Sequence, residues 1–148
     1  MGTVAARAAR RERGIDRITI GTRDTRSARA LYELALGPLG FGVSFDWPEG
    51  GRAYLGIPGE PSCLWLVEAD DPGRTTVALA APTPTAVDAF HSAAVGAGAT
   101  SIEPPAHRPE LNERAYSACV ADRDGNLLEA MCWNAPPLPA LRATDRAA

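Results

Sequence analysis

The feature that most restricts how this chain can fold is one order of elements met twice within 148 residues. Arg17–Arg23 alternates and is rich in β-branched residues, which predicts a strand. Asp24 or Thr25 can cap a helix over Ser27–Leu36, whose Ala28, Leu31, Tyr32 and Ala35 share one face. Gly37, Pro38 and Gly40 end that helix, and strands over Gly42–Trp47, Arg52–Ile57 and Cys63–Glu68 follow, parted by Pro- and Gly-rich turns. After the turn at Asp70–Gly73 the order returns. Thr75–Ala81 reads as a strand, and Thr85–Ala97 as a helix with Val87, Phe90, Ala94 and Val95 on one face. A short strand at Thr100–Glu103 and a long loop over Pro104–Glu113 come next. The strands Tyr116–Ala121 and Leu127–Trp133 close the chain around an Asp122–Asn126 turn.

Laid on one another, the halves set Arg17 opposite Thr76 and Trp65 opposite Glu129, at offsets of 59 and 64 residues. Each half is too small to bury a sufficient core alone, so the two should pack as one unit. Composition then removes several function classes. A net charge of −3 argues against a nucleic-acid or membrane-surface partner, and no apolar run is long enough to span a bilayer. All fifteen basic residues are arginine, which removes lysine-based catalysis and a phosphate-loop lysine. Cys63, Cys119 and Cys132 are odd in number and lack CxxC spacing, so they read as small buried hydrophobes. Met1–Gly14 carries Arg7, Arg10, Arg11 and Arg13 without an apolar core and reads as a disordered tail, not a secretory signal. Ala135–Ala148 reads as a second tail, and the expected location is cytoplasmic.

Five segments together resemble the vicinal oxygen chelate superfamily, which includes glyoxalase I, bleomycin and fosfomycin resistance proteins and extradiol dioxygenases. They are IDRITI (Ile15–Ile20), ALYELALGPLGF (Ala30–Phe41), TVALAAP (Thr76–Pro82), AVDAFHSAAVGAGA (Ala86–Ala99) and RAYSACVADRDGNLLEAMCW (Arg114–Trp133). The resemblance spans about Gly14 to Trp133. It implies an α+β fold of tandem βαβββ modules, residues 15–69 and 74–134, forming a U-shaped mixed sheet. It fixes function poorly, because one fold hosts unrelated activities. It also implies a homodimer, although both modules are present and one chain could supply a whole pocket.

In metal-dependent members of that superfamily, ligands come from the first and last strands of each module. Those positions here are Arg17, Trp65 or a neighbour of it, Thr76 and Glu129. Arginine stays protonated, tryptophan has no suitable donor atom and threonine is a poor neutral ligand, so no metal cofactor is expected. Glu129 is then expected to pair with Arg17 across the pocket, or to bind a polar group, or to act as a general base. His91 reads as a helix packing residue, whereas His107 and Arg108 lie in a loop that should approach the pocket mouth. Phe45, Trp47, Tyr54, Tyr116 and Trp133 sit on strands that could line an aromatic cavity. The expected partner is therefore a small organic molecule, partly aromatic or like a secondary metabolite, stacked on Trp65 with an acidic group on Arg17. The leading expectation is a drug-binding or resistance protein with its metal site largely lost. The alternatives are a metal-independent isomerase, cyclase or lyase using Glu129, and a metal-dependent lyase or dioxygenase with unusual ligands.

Overall fold

A computed structural model of the chain describes residues 14–139. The tail expected over 1–14, apart from Gly14, lies outside the described residues, as do the last nine residues of the one expected over 135–148. Ala135 itself belongs to the fold: it is fully buried and its N–H donates to the Arg114 carbonyl.

The tandem order is present. Strand β1 (Ile18–Thr22), helix α1 (Thr25–Leu36) and strands β2 (Gly42–Trp47), β3 (Arg52–Gly56) and β4 (Leu64–Glu68) form the first module. Strand β5 (Thr76–Ala80), helix α2 (Pro84–Gly96) and strands β6 (Thr100–His107), β7 (Tyr116–Ala121) and β8 (Leu127–Cys132) form the second. Helix α1 begins at Thr25 because extended Asp24 accepts the otherwise unpaired N–H groups of Arg26 and Ser27. Thr83 does the same for Ala86 at α2, where Pro84 occupies a first-turn position that needs no N–H.

One expectation fails on β6. The segment after Glu103 does not become a loop; the strand continues through Pro104 and Pro105 to His107. It can do so because β6 is an edge strand, where a missing N–H need not break a ladder, and because its register shifts twice to absorb the prolines.

The strands form two four-stranded mixed sheets of matching order, β1-β4-β3-β2 and β5-β8-β7-β6. In each, the first strand lies parallel to the last one of its module, and the other pairings are antiparallel. Each helix covers one face of its own sheet, and the helices pack on each other. Ile20, Tyr32, Leu36, Leu55 and Leu66 from the first module join Val87, Phe90, Val120 and Leu128 from the second in one core cluster. Burying a side chain such as Phe90 or Leu66 contributes about 1.5–3 kcal/mol.

A polar clasp fastens the modules. Asp122 is buried and accepts from the Tyr32 hydroxyl at 2.7 Å, from Asn126 Nδ2 at 2.8 Å, and from the N–H groups of Asp124 and Asn126 at 2.9 Å each. Asn126 reaches on to the Gly21 carbonyl, and Thr22 Oγ1 donates to Asp124 at 2.7 Å. Gly125, at φ +88°, provides the left-handed residue that closes this turn. The Asp122–Asn126 turn is thus structural. We predict that Asp122→Ala, which strands four donors, costs about 3–5 kcal/mol. That is a fall in Tm of roughly 10 °C. Tyr32→Phe removes one donor and should cost about a third as much by the same measurement.

Candidate functional site

Each sheet has one face under a helix and one open face, and strand parity decides which residues reach the open one. On β4, Leu64 and Leu66 are buried in the core, so Trp65 projects to the open side. Its direct neighbours in the ladder are Thr19 on β1 and Tyr54 on β3, and Tyr54 in turn faces Phe45 on β2. The rings stack in that order, Trp65 on Tyr54 with centroids 4.1 Å apart and Tyr54 on Phe45 at 4.8 Å. The Arg17 guanidinium lies 3.9 Å over the Trp65 ring and pairs with Asp16 at 3.0 Å. Trp65 Nε1 is buried with no hydrogen-bond acceptor among the described residues. Trp47 lies on the same strand as Phe45 but stays out of the stack, its ring resting against Gly50, where any side chain would collide with it.

The equivalent row on the second sheet has other chemistry. Glu129 stands between Ala78 on β5 and Cys119 on β7, and Cys119 faces Glu103 on β6. Phe45–Tyr54–Trp65 in one module thus corresponds to Glu103–Cys119–Glu129 in the other. A cavity of about 480 Å³ opens beside Glu129, walled by Ala78, Ala80, Leu111, Met131 and Trp133. Arg108 lies on this face too. Its guanidinium donates to Ser117 Oγ at 3.0 Å and to the Pro104 and Ser117 carbonyls, and pairs with Glu103 at 3.2 Å. Burial first, then the charges of Glu129 and Glu103, push the Cys119 thiol up, against the opposing pull of Arg108. Burial and the two carboxylates thus work against the thiolate form of Cys119.

Several expected contacts are not made. Arg17 lies just before β1 of the first sheet and Glu129 on β8 of the second, and the expected pair does not form; Asp16 is the partner of Arg17. Tyr116 has the parity of core residues Ala118 and Val120, so it points under α2 and donates to Asp88 at 2.7 Å. Burial, the hydrogen bond and the Asp88 charge push its phenol up to about 12. His107 sits edge-on to Tyr116 on the same covered side, with Nδ1 buried and unpartnered among the described residues. Of the His107–Leu111 segment, Arg108 and Leu111 reach the open face. Thr76 is exposed on the open side of β5, two residues from Ala78. His91 bonds Ser101 across the helix–sheet junction, as a packing residue should. Leu111, Met131 and the small Ala78 and Ala80 were not singled out in the sequence, although alternation on β5 and β8 places them beside Glu129.

The profile of the Glyoxalase/Bleomycin resistance protein/Dioxygenase superfamily matches residues 14–130. The chain belongs to this superfamily. Among solved structures it is similar to a glyoxalase/bleomycin resistance protein from Albidiferax ferrireducens T118, with 27% identity and a TM-score of 0.68 over 78% of this chain and 96% of that one. A glyoxalase/bleomycin resistance protein/dioxygenase family enzyme from Burkholderia phytofirmans PsJN shares the fold at 22% identity and a TM-score of 0.62, over 80% of this chain and 97% of that one. TioX from Micromonospora sp. ML1 shares it at 17% identity and 0.59, over 78% and 94%. No curated protein matches the chain. No described helix is long and apolar enough to cross a membrane.

The superfamily's metal positions do not fit a metal here. Arg17 is a cation held by Asp16, Trp65 offers a π face, and Thr76 and Glu129 together offer one strong oxygen donor. Among the described residues no group of three or more His, Cys, Asp or Glu side chains is placed to hold an ion. A metal bound at a hundredth of its added concentration would raise stability by about 2.7 kcal/mol. We predict no such rise: zinc, manganese or a chelator should shift Tm by less than about 1 °C. A second prediction concerns alkali. Tyr32 and Tyr116 both hold their protons above the usual phenol value of 10.0. The folded chain therefore binds those protons more tightly than the unfolded one, and stability, whole below pH 10.0, should fall as pH rises towards 12. With no lysine to titrate over this range, urea midpoints should drop there, and Tyr116→Phe should flatten the drop.

Proposed function

We propose that this chain binds a planar organic molecule carrying an acidic or phenolic group on the open face of its first sheet, without the help of a metal. The observation that carries the reading is the row of Phe45, Tyr54 and Trp65 with Arg17 laid over its end. Stacked rings offer a flat apolar surface, and a guanidinium at its edge favours a carboxylate or phenolate in the plane of that surface. Arg17 is half-exposed and its Asp16 partner more so, which makes the pair weak and open to exchange for a ligand anion.

Binding is favoured over turnover by what the second face lacks. Of the groups expected to move protons, Tyr116 and His107 lie under the helix, and Arg17 stays protonated. Glu129 is left without an acid partner among the described residues, and burial works against the thiolate form of Cys119. The similar protein from Albidiferax ferrireducens is named for glyoxalase and bleomycin resistance, and sequestration of a drug-like molecule agrees with the second of these.

Planar aromatic acids and their methyl esters, titrated against tryptophan fluorescence, test the reading. The acids should bind saturably at one per site and be recovered unchanged. Arg17→Ala should weaken the acids about tenfold and leave the esters as they were. Trp65→Ala should weaken both by a similar factor. No saturable binding, or an equal effect of Arg17→Ala on acids and esters, would sink it.

A further inference from the structure

Away from both open faces, a cavity of about 280 Å³ lies where the modules join. The start of α1 supplies one wall, with Asp24, Ala28 and Leu31, and the turn between β7 and β8 supplies the other, with Asp122, Arg123 and Asp124. Its volume is near the lower bound of about 300 Å³ for small-molecule sites.

The carboxylates of this lining are already served. Each Asp122 oxygen accepts two hydrogen bonds from the clasp. Asp24 accepts from the N–H groups of Arg26 and Ser27 and from the Ser27 hydroxyl. Asp124, whose side chain is 9% exposed, accepts from Thr22 Oγ1 at 2.7 Å and from the Arg23 N–H at 3.1 Å. The guanidinium groups are not served. Arg23 makes one long contact to Asp124, at 3.5 Å, and Arg123 one to the Ala97 carbonyl, at 3.4 Å, which leaves most of the donors on each without a protein acceptor. The lining therefore lacks an acceptor, and it lacks it at two cations contributed by different modules.

An oxyanion matches the fork of a guanidinium. With three aspartates around the cavity, a singly charged carboxylate meets less repulsion than a doubly charged phosphate monoester. The apolar part of the lining is Ala28 and Leu31, and no described lining residue is aromatic, so an alkyl chain finds contact where a flat ring would find nothing to stack on.

We propose that the junction cavity binds a short aliphatic carboxylate, its charge on Arg23 of the first module and Arg123 of the second and its chain against Ala28 and Leu31. Such an occupant touches both modules, so it adds to the Asp122 clasp and stabilises the folded chain. The site does not depend on what either open face binds.

Hexanoate is the probe, added to the full-length protein, with acetate and hexan-1-ol as controls that lack its chain and its charge. Saturable movement of the Ala28 and Leu31 methyl resonances is expected with hexanoate, while the Trp65 indole signal stays in place. Tm should rise by about 4 °C when hexanoate is at about ten times its Kd. Acetate and hexan-1-ol should each bind at least about tenfold more weakly. Replacing both cations, Arg23→Ala with Arg123→Ala, should weaken hexanoate about tenfold. Ala28→Leu, which fills the apolar end, should weaken it as far, and native methyl dispersion certifies the fold of both variants. The proposal is overturned if hexan-1-ol or acetate binds the wild-type chain as tightly as hexanoate does, or if the folded double variant binds hexanoate unchanged. It is overturned equally if millimolar hexanoate leaves the Ala28 and Leu31 methyls unmoved, whether or not the Trp65 signal moves instead.

Discussion

The Asp122 carboxylate is the interaction on which the rest of the arrangement depends. It gathers a hydroxyl from α1, an amide from its own turn and two backbone N–H groups, and the turn it organises reaches Gly21 and Thr22 on β1. A buried acceptor with four donors fixes geometry in a way that apolar packing alone does not, because each misplaced donor is left unsatisfied. Together with the contact of α1 on α2, it holds the modules helix side to helix side. Each sheet therefore spends one face on the shared core and turns the other outward. The candidate sites follow from that division, since everything not needed for the core projects from the outward faces.

Much of this was legible in the sequence because it depends on local periodicity. The alternation in ITIGT and LWLVE and the helical spacing of Leu31, Tyr32 and Ala35 need no knowledge of partners. Trp65, Thr76 and Glu129 do stand on open faces, for the same reason of parity, and Arg17, just before β1, lies over the Trp65 ring. What periodicity does not carry is the relation between sheets. The Arg17–Glu129 pair required the two open faces to meet within one chain, and they do not. The error on His107 and Tyr116 has another cause. With β6 read as ending at Glu103, His107 had no strand parity to obey; once the strand runs through the two prolines, its register opposite Tyr116 sends both rings under α2. Asp122 was read as a turn former, which it is, but its second role depends on Tyr32, ninety residues away.

The superfamily's metal positions illustrate how chemistry can leave a scaffold without disturbing it. A ligand-type side chain at position 65 would need a companion at 17; a tryptophan there needs only a flat neighbour and a cation above it, and Tyr54 and Arg17 supply both. Stacking and cation–π contact contribute about 0.5–1.5 kcal/mol each. That is enough to hold the side chains in order without any ion.

The repeat makes the difference between the faces interpretable. Phe45, Tyr54 and Trp65 occupy the same row in the first sheet as Glu103, Cys119 and Glu129 in the second, each row crossing the same three strands and each meeting a register shift in its edge strand. The backbone has therefore been used twice and the row filled twice with different chemistry. The core does not permit such freedom: truncating Leu66 or Leu128 leaves a cavity worth about 2–5 kcal/mol. An open-face position that nothing packs against costs within about 0.5 kcal/mol to change. Stability thus holds the two modules to one architecture while leaving their outward rows to diverge. An aromatic, arginine-edged face and an acidic, apolar-walled one are what such divergence yields on a single chain.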